Sequence, residues 1–241
     1  MPTTTHGELH PSTAERTDDP STVLETLLRE RYSCRAFTGD PVPDQVIERI
    51  LTLAQRSASW CNSQPWHTVI TKGEGTERFR EVMLNAAQTR EPKSDIPEPA
   101  EYRGVYLERR RETGFGMYSV LGIERHDRDG RFQQQLENFR LFGAPHVAIV
   151  TSDALIGPYG YVDSGAYVSS FLLAAQSLGV ATIPQAAIAM HSDVVHEHFG
   201  IPSDRVIVCA ISFGYADNDH PVNTYRTKRA DISAAVDFVD G

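Results

Sequence analysis

Cysteine, lysine and long apolar runs are all scarce in this chain, and each shortage narrows what it is. Its three cysteines, Cys34, Cys61 and Cys209, are odd in number and show neither metal-site nor dithiol spacing. That argues against a disulfide framework and for a reducing, cytoplasmic setting. No window approaches the roughly 18 apolar residues that a membrane-spanning helix needs, and the first residues carry no apolar signal-peptide core. Asp and Glu number 32 against 23 Lys and Arg, a net charge of −9. No chain-wide positive field exists to draw nucleic acid. Lysine occurs only at 72, 93 and 228, so nearly all positive charge is arginine. The Gly-x-Gly-x-x-Gly turn of a Rossmann unit and the P-loop are both missing. His191, His196 and His198 lie near one another, but their spacing does not bring all three to one helical face, so no metal site is expected.

What is present describes one ordinary globular domain. The chain has 241 residues, 40% of them hydrophobic, enough for one substantial core. Residues 1 to 19, which include His6 and His10, lack apolar periodicity and read as a disordered tail; residues 20–241 read as the domain. Asp18-Asp19-Pro20-Ser21 starts a helix with Val23, Leu24, Leu27 and Leu28 on one stripe. Pro41-Val42-Pro43-Asp44 opens a second, with Val46, Ile47, Ile50, Leu51 and Ala54 inside. A strand over 67–71 precedes a helix carrying Phe79, Val82, Met83 and Ala86. Residues 133–142 read as a helix, 144–151 as a buried strand, and 180–183 as a short strand before Pro184. Ser192-Asp193 starts a helix that ends at Gly200, and residues 205–214 form the longest apolar strand. The helix over 161–178, closed by Gly179, has no polar face, so it belongs in a central core, a subunit interface or both.

Between about 88 and 129 the periodicity fails. Arg109-Arg110-Arg111 and Gly114-Phe115-Gly116-Met117-Tyr118 stand out there. A long weakly periodic segment is usually a lid or disordered, and its aromatics favour a lid-like insertion.

Two stretches carry the chemistry. In Arg31-Tyr32-Ser33-Cys34-Arg35-Ala36-Phe37, residues two apart point the same way if the backbone is extended, so Arg31, Ser33 and Arg35 can meet one anion. A guanidinium donates two parallel charge-assisted hydrogen bonds to a phosphate; a solvated basic helix end is the bland alternative. The second stretch is Ser57-Ala58-Ser59-Trp60-Cys61-Asn62-Ser63-Gln64-Pro65-Trp66. Together they resemble the two N-terminal signatures of the FMN-dependent nitroreductase family, with Ala58 where proline is usual. A later Pro221-x-Asn223-x-x-Arg226-x-x-Arg229 extends the resemblance over roughly residues 21 to 240.

The resemblance implies an α+β fold, a mostly antiparallel sheet flanked by helices, in an intertwined homodimer. It implies FMN, with Arg31, Ser33, Arg35, Arg229 and Arg226 at its phosphate. Ser59, Trp60 and Asn62 would reach the flavin from the second subunit, and Pro184, Gln185, Ala186 and Ala187 would lay backbone against its ring system. It further implies NAD(P)H-dependent, ping-pong reduction of a nitroaromatic or quinone-like acceptor. Hydride passes through flavin N5, and no catalytic side chain is required. Apart from the resemblance, the aromatics and glycines of the 88–129 segment suggest a cover over the flavin, with Phe115 and Tyr118 lining the acceptor pocket. Flavin reduction, enone reduction, dehalogenation and flavin storage without turnover remain open at this point.

Overall fold

The computed structural model describes residues 19–239. The tail expected over residues 1 to 19, His6 and His10 included, lies outside them except for Asp19. Among the described residues, eight α-helices and four strands follow in the order α1 Pro20–Glu30, α2 Asp44–Ala54, β1 Trp66–Ile70, α3 Glu74–Thr89, α4 Gly104–Val120, α5 Arg128–Leu136, β2 His146–Asp153, α6 Pro158–Ser177, β3 Ala181–Gln185, α7 Ala186–Ala189, α8 Ser192–Phe199 and β4 Arg205–Gly214. The fold is α+β, as expected. Its single sheet is antiparallel throughout, ordered β1-β2-β4-β3.

The two central strands read as unbroken apolar runs because both faces are covered. Alternation along β2 sends Ala148 and Val150 to one core and Val147 and Ile149 to the other. On β4, Ile211 and Phe213 join the first, while Ile207 and Ala210 join the second. Helices α2 and α6 close the first core through Ile47, Ile50, Ala54, Tyr167 and Phe171. Helices α3, α7 and α8 close the second through Phe79, Met83, Ile188, Val194 and Val195. Among the described residues no helix is long and apolar enough to cross a membrane.

Three elements depart from expectation. Helix α4 occupies the middle of the stretch where periodicity fails. Its apolar residues, Val105, Tyr106, Phe115, Met117 and Tyr118, are spread around all sides, and none of its residues is buried. The helix expected over 133–142 ends at Leu136, because Leu141 and Phe142 take left-handed backbone (φ 57° and 53°) while burying their side chains. Helix α6 ends as expected, with Gly179 at φ 71° just beyond it. Yet the single chain does not cover it on every side: Val162, Gly165, Ala166 and Ser169 form an exposed stripe. The apolar stripe of α1 is likewise open, with Val23, Leu24 and Leu28 at 44%, 50% and 54% exposure.

The segment leading into α4 is clasped to the sheet. Lys93 donates to the Met190 carbonyl at 2.7 Å and accepts from the Ser192 N–H at 3.1 Å. The Asp95 carboxylate accepts from the Ile207 N–H at 2.8 Å and faces His196 Nε2 at 2.8 Å. His196 Nδ1 faces the Ile201 carbonyl at 2.9 Å. Both ring nitrogens therefore confront acceptors, an arrangement that only the imidazolium satisfies in full. Burial opposes that charge, but the bonds to Ile201 and Asp95 and the charges of Asp95 and Asp193 outweigh it, and the pKa is raised. A raised folded-state pKa gives stability that is complete below the ordinary value of about 6.5 and fades as pH rises through the folded value. Replacing His196 with glutamine is expected to cost roughly 1–2 kcal/mol at pH 5.5 and distinctly less at pH 8.5. Urea midpoints of both proteins at the two pH values test this, and an equal loss at both refutes it.

The other two histidines go elsewhere. His191 lies edge-on to Phe139 and His198 packs against Phe79 and Phe199. Among the described residues no three potential metal ligands come together.

Candidate active site

Where α1 ends, the chain turns extended and crosses the edge of the sheet. Ser33 bridges Thr182 of β3 in parallel, and the Cys34 N–H donates to the Thr182 carbonyl at 3.0 Å. This extended course puts Arg31, Ser33 and Arg35 on one side, as the two-residue spacing requires. From far along the chain, residues 225–229 arrive to form the opposite wall. The result is a cleft of about 450 Å3 lined by Arg31, Tyr32, Ser33, Arg35, Tyr225, Arg226, Thr227 and Arg229, among others. All five residues expected at an anion therefore meet in one place.

Asn223 ties the two walls together. Its side-chain oxygen accepts from the Arg35 N–H at 2.8 Å, and its amide donates to the Ala36 and Asp217 carbonyls, each at 2.8 Å. The Arg226 guanidinium lies 3.6 Å from the centre of the Tyr32 ring, a cation–π contact that fixes its direction. Arg226 also donates to the Asn223 carbonyl at 2.6 Å, and Arg35 to the Ser33 carbonyl at 3.2 Å.

The electrostatics are one-sided. Among the described residues, none of Arg31, Arg35, Arg226 and Arg229 has an acidic partner. Burial, then the neighbouring charge of Arg229, pushes the Arg31 guanidinium below its ordinary pKa; burial does the same to Arg35. Half-buried like charges without counterions are costly. A phosphate dianion with its fork-matching oxygens removes that cost. The donor set fits a phosphate monoester such as that of FMN.

The remaining expected residues sit apart from this cleft. Strand β3 runs from it into Pro184 and Gln185, and α7 begins at Ala186. The buried Gln185 side chain is already engaged, donating to the Asn138 carbonyl at 2.8 Å and accepting from the Ser212 hydroxyl at 2.5 Å. Only its backbone is left to meet a ligand. Ser59, Trp60 and Asn62 form a separate loop held from α6: the Trp60 N–H meets both Asp163 carboxylate oxygens at 3.1 and 3.2 Å. Three neighbouring non-glycine residues, Cys61, Asn62 and Gln64, have positive φ of 48°, 56° and 47°. The Trp60 ring stands 4.2 Å from that of Tyr159 and is 55% exposed. This loop does not line the arginine cleft of its own chain. Phe115 and Tyr118 line two other clefts along α4, with the Arg125 guanidinium 4.4 Å above the Phe115 ring. Helix α4 instead touches the arginine cleft through Gly116, where a Cβ would lie only 2.6 Å from the Tyr225 ring.

Sequence reasoning missed Tyr32 and Tyr225, the aromatic walls, and Asp163, the anchor of the Trp60 loop. Tyr32 stood between two singled-out residues; nothing local marked the others.

Comparison with known proteins gives one consistent result. The model of the nitroreductase family matches residues 28–215. The nitroreductase NfnB of Mycolicibacterium smegmatis is 33% identical over 223 residues, covering 92% of this chain and 95% of its own. A 4-nitrobenzoate reductase of a Nocardioides species is 33% identical over 221 residues, covering 90% of each. The crystal structure of the FMN-dependent NfnB from Mycobacterium smegmatis in complex with NADPH superposes with a TM-score of 0.88 at 32% identity, covering 92% of this chain and all of the other.

Proposed function

The chain belongs to the nitroreductase family, and on that footing we propose that it is an FMN-dependent enzyme reducing nitroaromatic or quinone-like acceptors with NAD(P)H. The observation that carries the reading is the cleft of four guanidiniums without acidic partners beside the edge strand β3. FMN held there would supply the redox chemistry, hydride transfer between nicotinamide and acceptor. The protein's part is to hold, orient and shield. Arg31, Ser33, Arg35 and Arg229 grip the phosphate, and Arg226, fixed over Tyr32, closes its outer side. The backbone from Pro184 to Ala187 would hold the ring system. Donor and acceptor then use one place in turn, which gives ping-pong kinetics.

The active unit is a homodimer. The Trp60 loop, with Ser59 and Asn62, reaches the cleft of a second copy, since it does not line its own. The open stripes on α1 and α6 supply the apolar surface such an isologous contact buries. Within the 88–129 insertion, α4 covers the acceptor side, with Phe115 and Tyr118 facing the acceptor.

The experiment is purification followed by one spectrum and one assay. The protein should be yellow, release FMN on denaturation, migrate at about twice 26.8 kDa, and oxidise NAD(P)H only when a nitroaromatic or quinone acceptor is added. Flavin without turnover would make it a binding module; a protein that cannot be reconstituted with FMN would overturn the reading.

A further inference from the structure

Arg109-Arg110-Arg111 has no part in the scheme above, and the structure sends its members to different places. Arg110 lies 5.2 Å from the Tyr102 ring centre, and Arg110 and Arg111 together line a groove on one side of α4. Arg109 instead lines a cleft of about 520 Å3 between α4 and residues 225–230, with Glu112, Thr113, Lys228 and Arg229. Tyr225, Thr227 and Arg229 belong to this cleft and to the flavin-phosphate cleft alike. These three residues form a wall that the two neighbouring clefts share.

The charge in this second cleft exceeds what its own acid can balance. Glu112 is taken up by Lys228 at 2.8 Å, while Arg109 has no acidic partner among the described residues. The first cleft already holds Arg31, Arg35, Arg226 and Arg229 for a single phosphate dianion. A second anionic group is therefore provided for, and it must belong to a molecule that lies beside FMN. Among the molecules the reaction uses, the reduced nicotinamide dinucleotide carries such groups. With its ring at the flavin, its phosphates would reach the neighbouring cleft across that shared wall. The unpaired Arg109 fork, with the N–H donors Lys228 keeps beside its bond to Glu112, suits a terminal monoester dianion better than a singly charged diester bridge.

We propose that the α4-side cleft is the donor's phosphate subsite, and that Arg109, with Lys228, reads the adenosine 2′-phosphate and so favours NADPH over NADH. This rests on the flavin-enzyme reading above. The Glu112–Lys228 pair places the lysine and joins α4 to the wall of the flavin cleft, so donor binding also settles the helix over the site.

Two measurements on the FMN-loaded protein test this. Calorimetric titration should show adenosine 2′,5′-bisphosphate binding about tenfold or more tighter than adenosine 5′-monophosphate, and Arg109→Met should remove that difference. In turnover, Arg109→Met should lower the NADPH-to-NADH ratio of kcat/KM by roughly 10- to 100-fold. Arg109→Lys should recover part of both effects, and flavin stoichiometry should hold throughout. Equal binding of the two nucleotides by the parent protein, or a ratio unmoved in Arg109→Met, overturns the proposal while leaving the flavin reading intact. Absent flavin or absent turnover in the parent overturns the reading itself. Should Arg109→Met fold poorly, Arg109→Gln carries the same two readouts.

Discussion

Arg35→Ala is expected to weaken FMN binding by roughly 10- to 150-fold, the equivalent of one charge-assisted contact of about 1.5–3 kcal/mol. Arg35 is held at both its backbone and its guanidinium. Its own N–H is held by Asn223 at 2.8 Å, and its guanidinium returns to the Ser33 carbonyl at 3.2 Å. A pre-positioned fork loses little freedom on binding, so most of the contact energy appears as affinity. The same logic sets an opposite expectation for the flavin-free protein. There Arg35 is a half-buried charge without an acidic partner, and burial already depresses its pKa. Removing it should leave the apo melting temperature unchanged or slightly higher. The holo melting temperature should fall, because less binding energy is linked to folding. Flavin fluorescence titration and paired apo and holo melts measure both. An unaltered FMN dissociation constant in Arg35→Ala would remove the phosphate assignment.

Replacing Asn223 should do more damage, and to the fold as well. The residue is 4% exposed and makes three side-chain hydrogen bonds, all at 2.8 Å, with its oxygen toward an N–H and its amide toward two carbonyls. Asn223→Leu strands those three backbone groups at an expected cost of about 2–4 kcal/mol. Asn223→Asp is the sharper probe. Its carboxylate would set an oxygen against the Ala36 and Asp217 carbonyls, so it should be at least as harmful at pH 7 and recover partly once protonated at lower pH. Both variants should also lose FMN, since the Asn223 side chain ties the Arg35 stretch to the wall that carries Arg226 and Arg229. Urea unfolding across pH, with flavin content alongside, tests these outcomes. Wild-type stability and flavin content in Asn223→Leu would show that the two cleft walls stand independently.

The sequence made legible whatever depends on near neighbours. Strand β4 appears with its expected bounds because its core residues alternate between two covered faces, leaving an unbroken apolar run. Arg31, Ser33 and Arg35 point together because extended backbone repeats every second residue. Helix α4 was not legible, since a helix lying half-covered over other segments needs no apolar stripe. The loop at Trp60 was recognisable as a motif, but its left-handed backbone was not, because Cys61, Asn62 and Gln64 owe that conformation to the Asp163 carboxylate and the Ser59 hydroxyl. Tyr225 and Asp163 act only through partners remote in sequence. Their roles emerge once the fold has brought those partners near.

The clamp at Asn223 also orders events during synthesis. It joins Arg35 to a side chain 188 positions later, and a ribosome adds about 5–20 residues per second. A nascent chain stopped after β4 holds every strand of the sheet and the residues of both cores, yet only one wall of the arginine cleft. Until residues 223–229 emerge, Arg31 and Arg35 have no opposite wall to confine a phosphate. Contacts of such long range are the slowest to form, because their loop-closure entropy is lost before any contact compensates for it. With the cleft as the flavin-phosphate site we propose, flavin loading belongs to the final stage of maturation, after the sheet has formed. Free FMN acts on the finished chain as a latch rather than on the growing one as a template.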